Sequence, residues 1–292
     1  MTRRISVGAT VRDAYAFVGA HLGGIIGVIW LPMVLITIAQ FFTYNRCYND
    51  FIDALTTKNA AHMGPALLML LGYWIAKLLL TALMCVGVVQ LAQGNRNPAA
   101  LVHLSFGPPE GRLFRAFCGF AGMLLMVLIT VLTVAQMVLS MKVAPSRQLQ
   151  ETISGLMMLA LLGAALLLSA RFLILAPAIA AGETSPVLRR AWSLSADNFW
   201  PLLGALVALF LPLLLFFVGI EMGIGQKGMT QPAGTTPEAQ MIAALTNARQ
   251  MLPVSSGLSF FFSPLMIGLF AGASVSAWRV LKDEPNTVDI AV

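Results

Sequence analysis

Residues 66–91 read ALLMLLGYWIAKLLLTALMCVGVVQL, twenty-six positions with one charge, Lys77. An α-helix rises about 1.5 Å per residue, so roughly 20 apolar residues cross the ~30 Å hydrocarbon core of a bilayer. The stretch is long enough to do so. It is apolar on every side and lacks the period-two alternation of a barrel strand, so it reads as a spanning helix. The same kind of run recurs along the chain. No Asp, Glu, Lys or Arg occurs in residues 14–45, 116–141, 152–170, 198–220 or 250–278. Six spans are predicted, at about 22–42, 66–91, 117–140, 154–175, 201–220 and 253–275.

The composition agrees. Of 292 residues, 58% are apolar and only 10% charged, with a mean hydropathy of +0.83. Ordinary soluble domains carry about 25% charged residues, and disorder needs low hydrophobicity, so both classes are excluded. The expected fold is all-α: a polytopic membrane protein of six transmembrane helices plus short interfacial helices, in one integral membrane domain. The N-terminus resembles the charged start of a signal peptide, but its apolar stretch is too long and is read as a retained first span.

The net charge of +6 fits basic cytoplasmic loops better than nucleic-acid binding. Arg3, Arg4, Arg12, Arg96, Arg112, Arg115, Arg171, Arg189, Arg190, Arg279 and Lys282 fall in the two termini and the loops on their side. Arg46, Lys58, Lys142, Arg147, Lys227 and Arg249 fall in the opposite loops. That split is eleven to six. Cytoplasmic loops collect Lys and Arg, so both termini are expected in the cytoplasm, with the chain in the cell inner membrane. An even number of spans puts both termini on one side, in agreement with the charge.

The connections carry their own structure. Ser185-Pro186 is a good N-cap and first-turn pair, and residues 187–196 then read as a short helix ended by Asp197 and Asn198. With Arg189 and Arg190 beside Trp192, it belongs in the headgroup plane. The N-terminus is similar, with Val7, Val11, Ala14, Tyr15 and Val18 on one face; Pro98 to His103 is a poorer third case. A threefold repeat of one interfacial helix and two spans follows. Its register sets Ala14-Tyr15 on Ala191-Trp192, His21-Leu22 on Asn198-Phe199, and Gly27 on Gly204. On the opposite side, residues 43–65 are expected to hold a short helix capped by Asn49. Residues 221–250 are expected to be irregular at Gly223, Gly225, Gly228, Pro232 and Gly234, then helical from Thr236-Pro237-Glu238.

The segment Ala176-Pro177-Ala178-Ile179, then Leu188-Arg189-Arg190-Ala191-Trp192-Ser193-Leu194, then Asn198-Phe199-Trp200, resembles the bacterial membrane-domain family named for glycerophosphoryl diester phosphodiesterases. The resemblance covers about residues 171–206. It implies six spans with interfacial helices, in a stand-alone membrane part. It does not bring the enzyme, because no residues remain for a catalytic barrel.

No catalytic or metal constellation is legible. His21, His62 and His103 lack partners at ligand spacing, and no HExxH, GxxxxGK[ST] or GxSxG occurs. Cys47, Cys85 and Cys118 form no framework, and only Cys47 falls in a polar loop. No enzyme activity, metal or cofactor is expected. Lys77, near mid-span, is the strongest functional candidate, because an intramembrane charge is costly. An anion site and a helix lock both use such a residue, although a structural role near the outer interface is preferred. Arg171 either snorkels to the headgroups or binds a phosphate, snorkelling being preferred. With Arg189, Arg190 and Trp192 these make the candidate lipid- or anion-contacting set. Gly19, Gly23 and Gly27, and Gly268, Gly272 and Ser276, recur every four residues, as in close helix contacts. They are read as packing inside the bundle in preference to a homodimer seam. The sixteen methionines are read as packing filler. The expected function is a non-catalytic inner-membrane protein that organises lipids or partner membrane proteins. The alternative is a transporter or flippase for a lipid or small anion.

Overall fold

The computed structural model describes residues 4–59, 61, 63–95, 107–140, 147–182, 187–225 and 237–282. Its elements are α1 (Val7–Thr57), α2 (Met63–Ala92), α3 (Pro108–Ser140), α4 (Arg147–Phe172), α5 (Leu175–Ala180), α6 (Val187–Ala196), α7 (Phe199–Gly225) and α8 (Pro237–Lys282). Among the described residues there is no strand. Six helical segments are long and apolar enough to cross a membrane, so the chain is an all-α polytopic protein.

Two helices are much longer than a span. Helix α1 has 51 residues and α8 has 46, or roughly 75 and 70 Å at ~1.5 Å per residue. Each therefore runs beyond ~30 Å of hydrocarbon. Helix α1 starts on Ser6, whose Oγ accepts from the Ala9 N–H at 3.5 Å. It bends at His21, whose φ of −123° and ψ of 17° interrupt the helical run. Before the bend Thr10, Ala14 and Val18 face inward and Tyr15 is exposed; the buried face is narrower than the one read from sequence. In the repeat register His21 pairs with Asn198, and the turn between α6 and α7 falls at Asp197–Asn198. The first and third units thus break at the same position. The middle segment, Pro98 to His103, lies outside the described residues, as does the Ser185-Pro186 start of α6.

Several expected loops are helical instead. Helix α1 continues through residues 43–57, so Asn49 lies inside it and caps nothing. Cys47 is thereby in a helix, only 2% exposed, with its thiol donating to the Ala66 carbonyl at 3.4 Å. Helix α7 runs through Gly223 to Gly225. Helix α8 passes through Pro253 and joins the expected outer helix to the last span. Proline within a spanning helix is tolerated where neighbours support the freed backbone. Here α1 supports α8, and Arg249 Nε donates to Asn45 Oδ1 at 3.0 Å beyond the proline. By contrast, the span expected over 154–175 ends early: α4 stops at Phe172, and a turn at 173–174 separates α5.

The α1–α8 pair is the most extensive contact, and α2 packs against both. Small residues make it possible. A Cβ on Gly272 would lie 2.9 Å from Ala14 Cα, and one on Gly268 would lie 2.9 Å from Val18 Cγ2. Helix association in a bilayer depends on such close approach, because lipid tails are as apolar as leucine. Gly19, Gly23 and Gly27 differ: nothing lies within 4 Å of their Cβ positions. The packing assigned to both glycine series from sequence holds for Gly268 and Gly272 only.

The start of α1 and the end of α8 lie at the same end of the bundle. The Ile5 N–H donates to Asn198 Oδ1 at 3.1 Å. Ser276 Oγ donates to Asp13 Oδ2 at 2.9 Å. Arg279 Nη2 donates to the Ala92 carbonyl at 3.1 Å, and Gln93 Nε2 donates to the Pro177 carbonyl at 3.1 Å. The largest fully buried side chains, including Ile25, Val88, Leu113, Ile174, Leu202 and Leu269, lie toward this end. Toward the other end α3, α4 and α7 present Leu125, Met126, Leu156, Met158, Leu214 and Phe216 outward.

Replacing Gly272 with Leu forces a side chain into the Ala14 backbone. We expect it to lower unfolding stability in detergent by about 1–3 kcal/mol, the usual cost of overpacking. Gly23→Leu, at an open position, should leave the melt unchanged. Equal melting of the two variants would refute the close α1–α8 contact.

Candidate lipid-contact site

Arg171 occupies the last turn of α4. The helix stops one residue later, and the Arg171 side chain meets two later elements, α6 and α7. The guanidinium carbon lies 4.9 Å from the Trp192 ring centre on α6 and 4.6 Å from the Phe199 ring centre at the start of α7. A cation held between two aromatic faces is attracted by both ring quadrupoles. The guanidinium is thus folded onto protein, not simply extended to solvent. Its Nη1 is enclosed and makes no hydrogen bond among the described residues.

The aromatic contacts continue inward. Phe172 packs on Trp192 with ring centres 6.2 Å apart, and on Phe120 of α3 at 6.0 Å. Beyond them lies an apolar cavity of about 210 Å³ between α2, α3, α4, α5 and α8, lined by Cys85, Leu113, Phe117, Phe120, Phe172 and Phe270 among others. Helix α3 reaches this place from a firm start. Glu110 is buried, and its Oε2 accepts from the Gly107 N–H at 2.9 Å. That is the backward half of a capping box, with Glu at the third helical position.

Of the sequence candidates, Arg171 and Trp192 are therefore in contact. Arg189 is exposed on the same helix as Trp192, which is itself 48% exposed. Arg190 belongs to that helix, and its side chain lies outside the described set. Lys77 stands apart. Its Nζ lies 4.8 Å from the Trp74 ring centre and 5.9 Å from that of Tyr73. Helical side chains lean toward their own N-terminus, and Lys77 follows that rule onto aromatic residues one turn back. Tyr73 is tied to α1 by its hydroxyl, 3.4 Å from Gln40 Oε1. Lys77, in the middle of α2, thus stacks on its own helix beside the Tyr73–Gln40 contact, and its ring partners are not those of Arg171.

Phe199, Phe172 and Phe120 were not legible as site residues. Phe in an apolar run carries no signal of its own. Only Phe199, next to the helix break at Asn198, stood at a marked position. Among the described residues, no group of three His, Cys, Asp or Glu side chains is placed to hold a metal ion. Comparison with family models, curated proteins and solved structures gives no match for this chain.

The Arg171 clasp predicts a graded response. Trp192→Leu removes a ring quadrupole and should lower detergent-state stability by about 0.5–2 kcal/mol. Trp192→Phe should keep most of it. A thermal melt checks both, and equal losses in the two variants would mean that area, not the cation, matters.

Proposed function

We propose that this chain is a non-catalytic polytopic protein of a bacterial inner membrane, with both termini in the cytoplasm, that organises lipids or partner membrane proteins. We also propose that it is a stand-alone relative of the glycerophosphoryl diester phosphodiesterase membrane domains. The observation that carries the functional reading is the clustering at one end of the bundle. There α6 presents Arg189 and Trp192 outward, and Arg171 is stacked on the same Trp192. Short helices with Arg and Trp sit in the headgroup plane and attract anionic lipids. The bend of α1 at His21 supports a second such helix beside the first.

The Lys77 contacts also support lipid organisation over transport. A transporter would use Lys77 and Arg171 along one path. Lys77 is instead engaged by Tyr73 and Trp74, on its own helix.

Orientation is tested by thiol labelling. Cys47 is buried and is a poor reporter, whereas Thr56 is exposed near the end of α1. In a variant with Cys47, Cys85 and Cys118 replaced by Ser, Thr56→Cys should react with a membrane-impermeant maleimide in intact spheroplasts. Reaction only after the membrane is opened would invert the topology.

The interfacial role is tested by Arg189→Ala with Arg190→Ala. Each basic residue near an anionic leaflet contributes roughly 1 kcal/mol. The double variant should insert normally, yet keep less anionic lipid through purification, as the parent does at high salt. Unchanged retention at low salt would make α6 a packed elbow with no lipid role.

A further inference from the structure

The Arg171 clasp and the apolar cavity are contiguous. Phe172 forms part of the cavity wall, and the same ring touches Trp192, which carries the guanidinium. A charged group with an enclosed, unbonded Nη1 therefore stands beside an apolar hollow, separated from it by the Phe172 and Trp192 rings. The two halves ask for different chemistry. A guanidinium recognises phosphate through paired, charge-assisted hydrogen bonds. A cavity walled by Phe, Leu and Ala admits hydrocarbon and stays dry; an apolar cavity of about 150 Å³ already binds benzene.

The shape fits a chain. Leu113, Phe117 and Phe120 share one face of α3 and cover seven residues, or about 10 Å of helix rise. The opposing wall is Ser169, Phe172, Leu175 and Ala176. The lining thus extends for about 10 Å along α3. Arg171 sits where α4 ends, at the end of the bundle that gathers Arg12, Arg115, Arg189 and Arg279. Basic residues there attract anionic headgroups.

From this we propose that the cavity takes one acyl chain of an anionic phospholipid, whose phosphate is bound by Arg171 between Trp192 and Phe199. The proposal rests on the lipid-organising reading and names its ligand. It makes the protein a holder of individual lipid molecules, beyond a general attraction to the leaflet. The Arg171 guanidinium supplies the headgroup preference, and the walls of α3, α4 and α5 hold the tail.

Ser169 lines the cavity from a half-exposed position, so a thiol placed there reports on its occupancy, whereas Cys85 is buried as Cys47 is. In a Cys47→Ser, Cys85→Ser, Cys118→Ser background, Ser169→Cys supplies the single thiol. The purified, delipidated protein is treated with N-ethylmaleimide in detergent, alone or with added phosphatidylglycerol, diacylglycerol or glycerol 3-phosphate. Phosphatidylglycerol should slow modification of that thiol by about tenfold or more relative to diacylglycerol, which has the acyl chains but no phosphate, the discrimination expected of a charge-assisted pair near 1.4 kcal/mol. Glycerol 3-phosphate alone should give no protection. Arg171→Gln should abolish the difference between the two lipids while leaving some protection by both. Ser169→Phe, which fills the hollow from a half-exposed position, should cut the phosphatidylglycerol retained by the protein in native mass spectrometry. That readout holds even if thiol access changes.

Equal rates of thiol modification at position 169 with and without phosphatidylglycerol would overturn the cavity site. If Arg189→Ala with Arg190→Ala still lost anionic lipid, the interfacial reading would survive that failure. Protection by glycerol 3-phosphate alone would overturn the acyl-chain assignment in favour of a soluble anion. Discrimination unchanged in Arg171→Gln would remove Arg171 from the site.

Discussion

At Ala14 the backbone of α1 lies against Gly272 of α8, close enough that a Cβ on the glycine would sit 2.9 Å from Ala14 Cα. In a bilayer no hydrophobic force drives helix to helix, so close packing must do that work. This contact lets the two longest helices run side by side. It brings Ser276 to Asp13 and supports α8 past Pro253. It also brings the start of α1 and the end of α8 to one side. The remaining helices are placed from this pair: α2 packs against α1 and α8, and α7 is set by Asn198, which holds the Ile5 N–H.

Packing is uneven along the bundle. The basic end is densely filled and tied by side-chain bonds to carbonyls, as with Arg279 on Ala92 and Gln93 on Pro177. The opposite halves of α3, α4 and α7 turn large apolar side chains outward. Acyl chains solvate those side chains as well as a protein core does, so exposure there carries little cost. The arrangement leaves an apolar hollow where α4 stops and α5 turns, near Arg171, which is stacked on aromatic rings of α6 and α7.

Sequence reading reached the spans because the signal is local. Each is a run of apolar residues long enough to cross hydrocarbon, and charge interrupts it. The short helix at 187–196 was legible for the same reason: Asp197 and Asn198 stop it, and its residue types alternate at helical spacing. Loop structure was less legible. Residues 43–57 and 237–252 are polar enough to read as separate pieces. In the structure they continue α1 and α8, because the two helices support one another beyond the span, as Arg249 and Asn45 show. That support comes from a residue 204 positions away in the chain.

By itself the sequence determined that this is an all-α polytopic membrane protein, with six spans, an asymmetric distribution of basic residues and an arginine-tryptophan helix before the fifth span. Those properties depend on length, hydropathy and residue type, which are local. Only the tertiary structure decided that Gly268 and Gly272 are packed while Gly19, Gly23 and Gly27 are open. It alone separated Lys77 from Arg171, set Arg171 between Trp192 and Phe199, and left a hollow beside Phe172. The reason is geometric: a helix offers its residues on all sides, and which side meets a neighbour is fixed by partners distant in the chain.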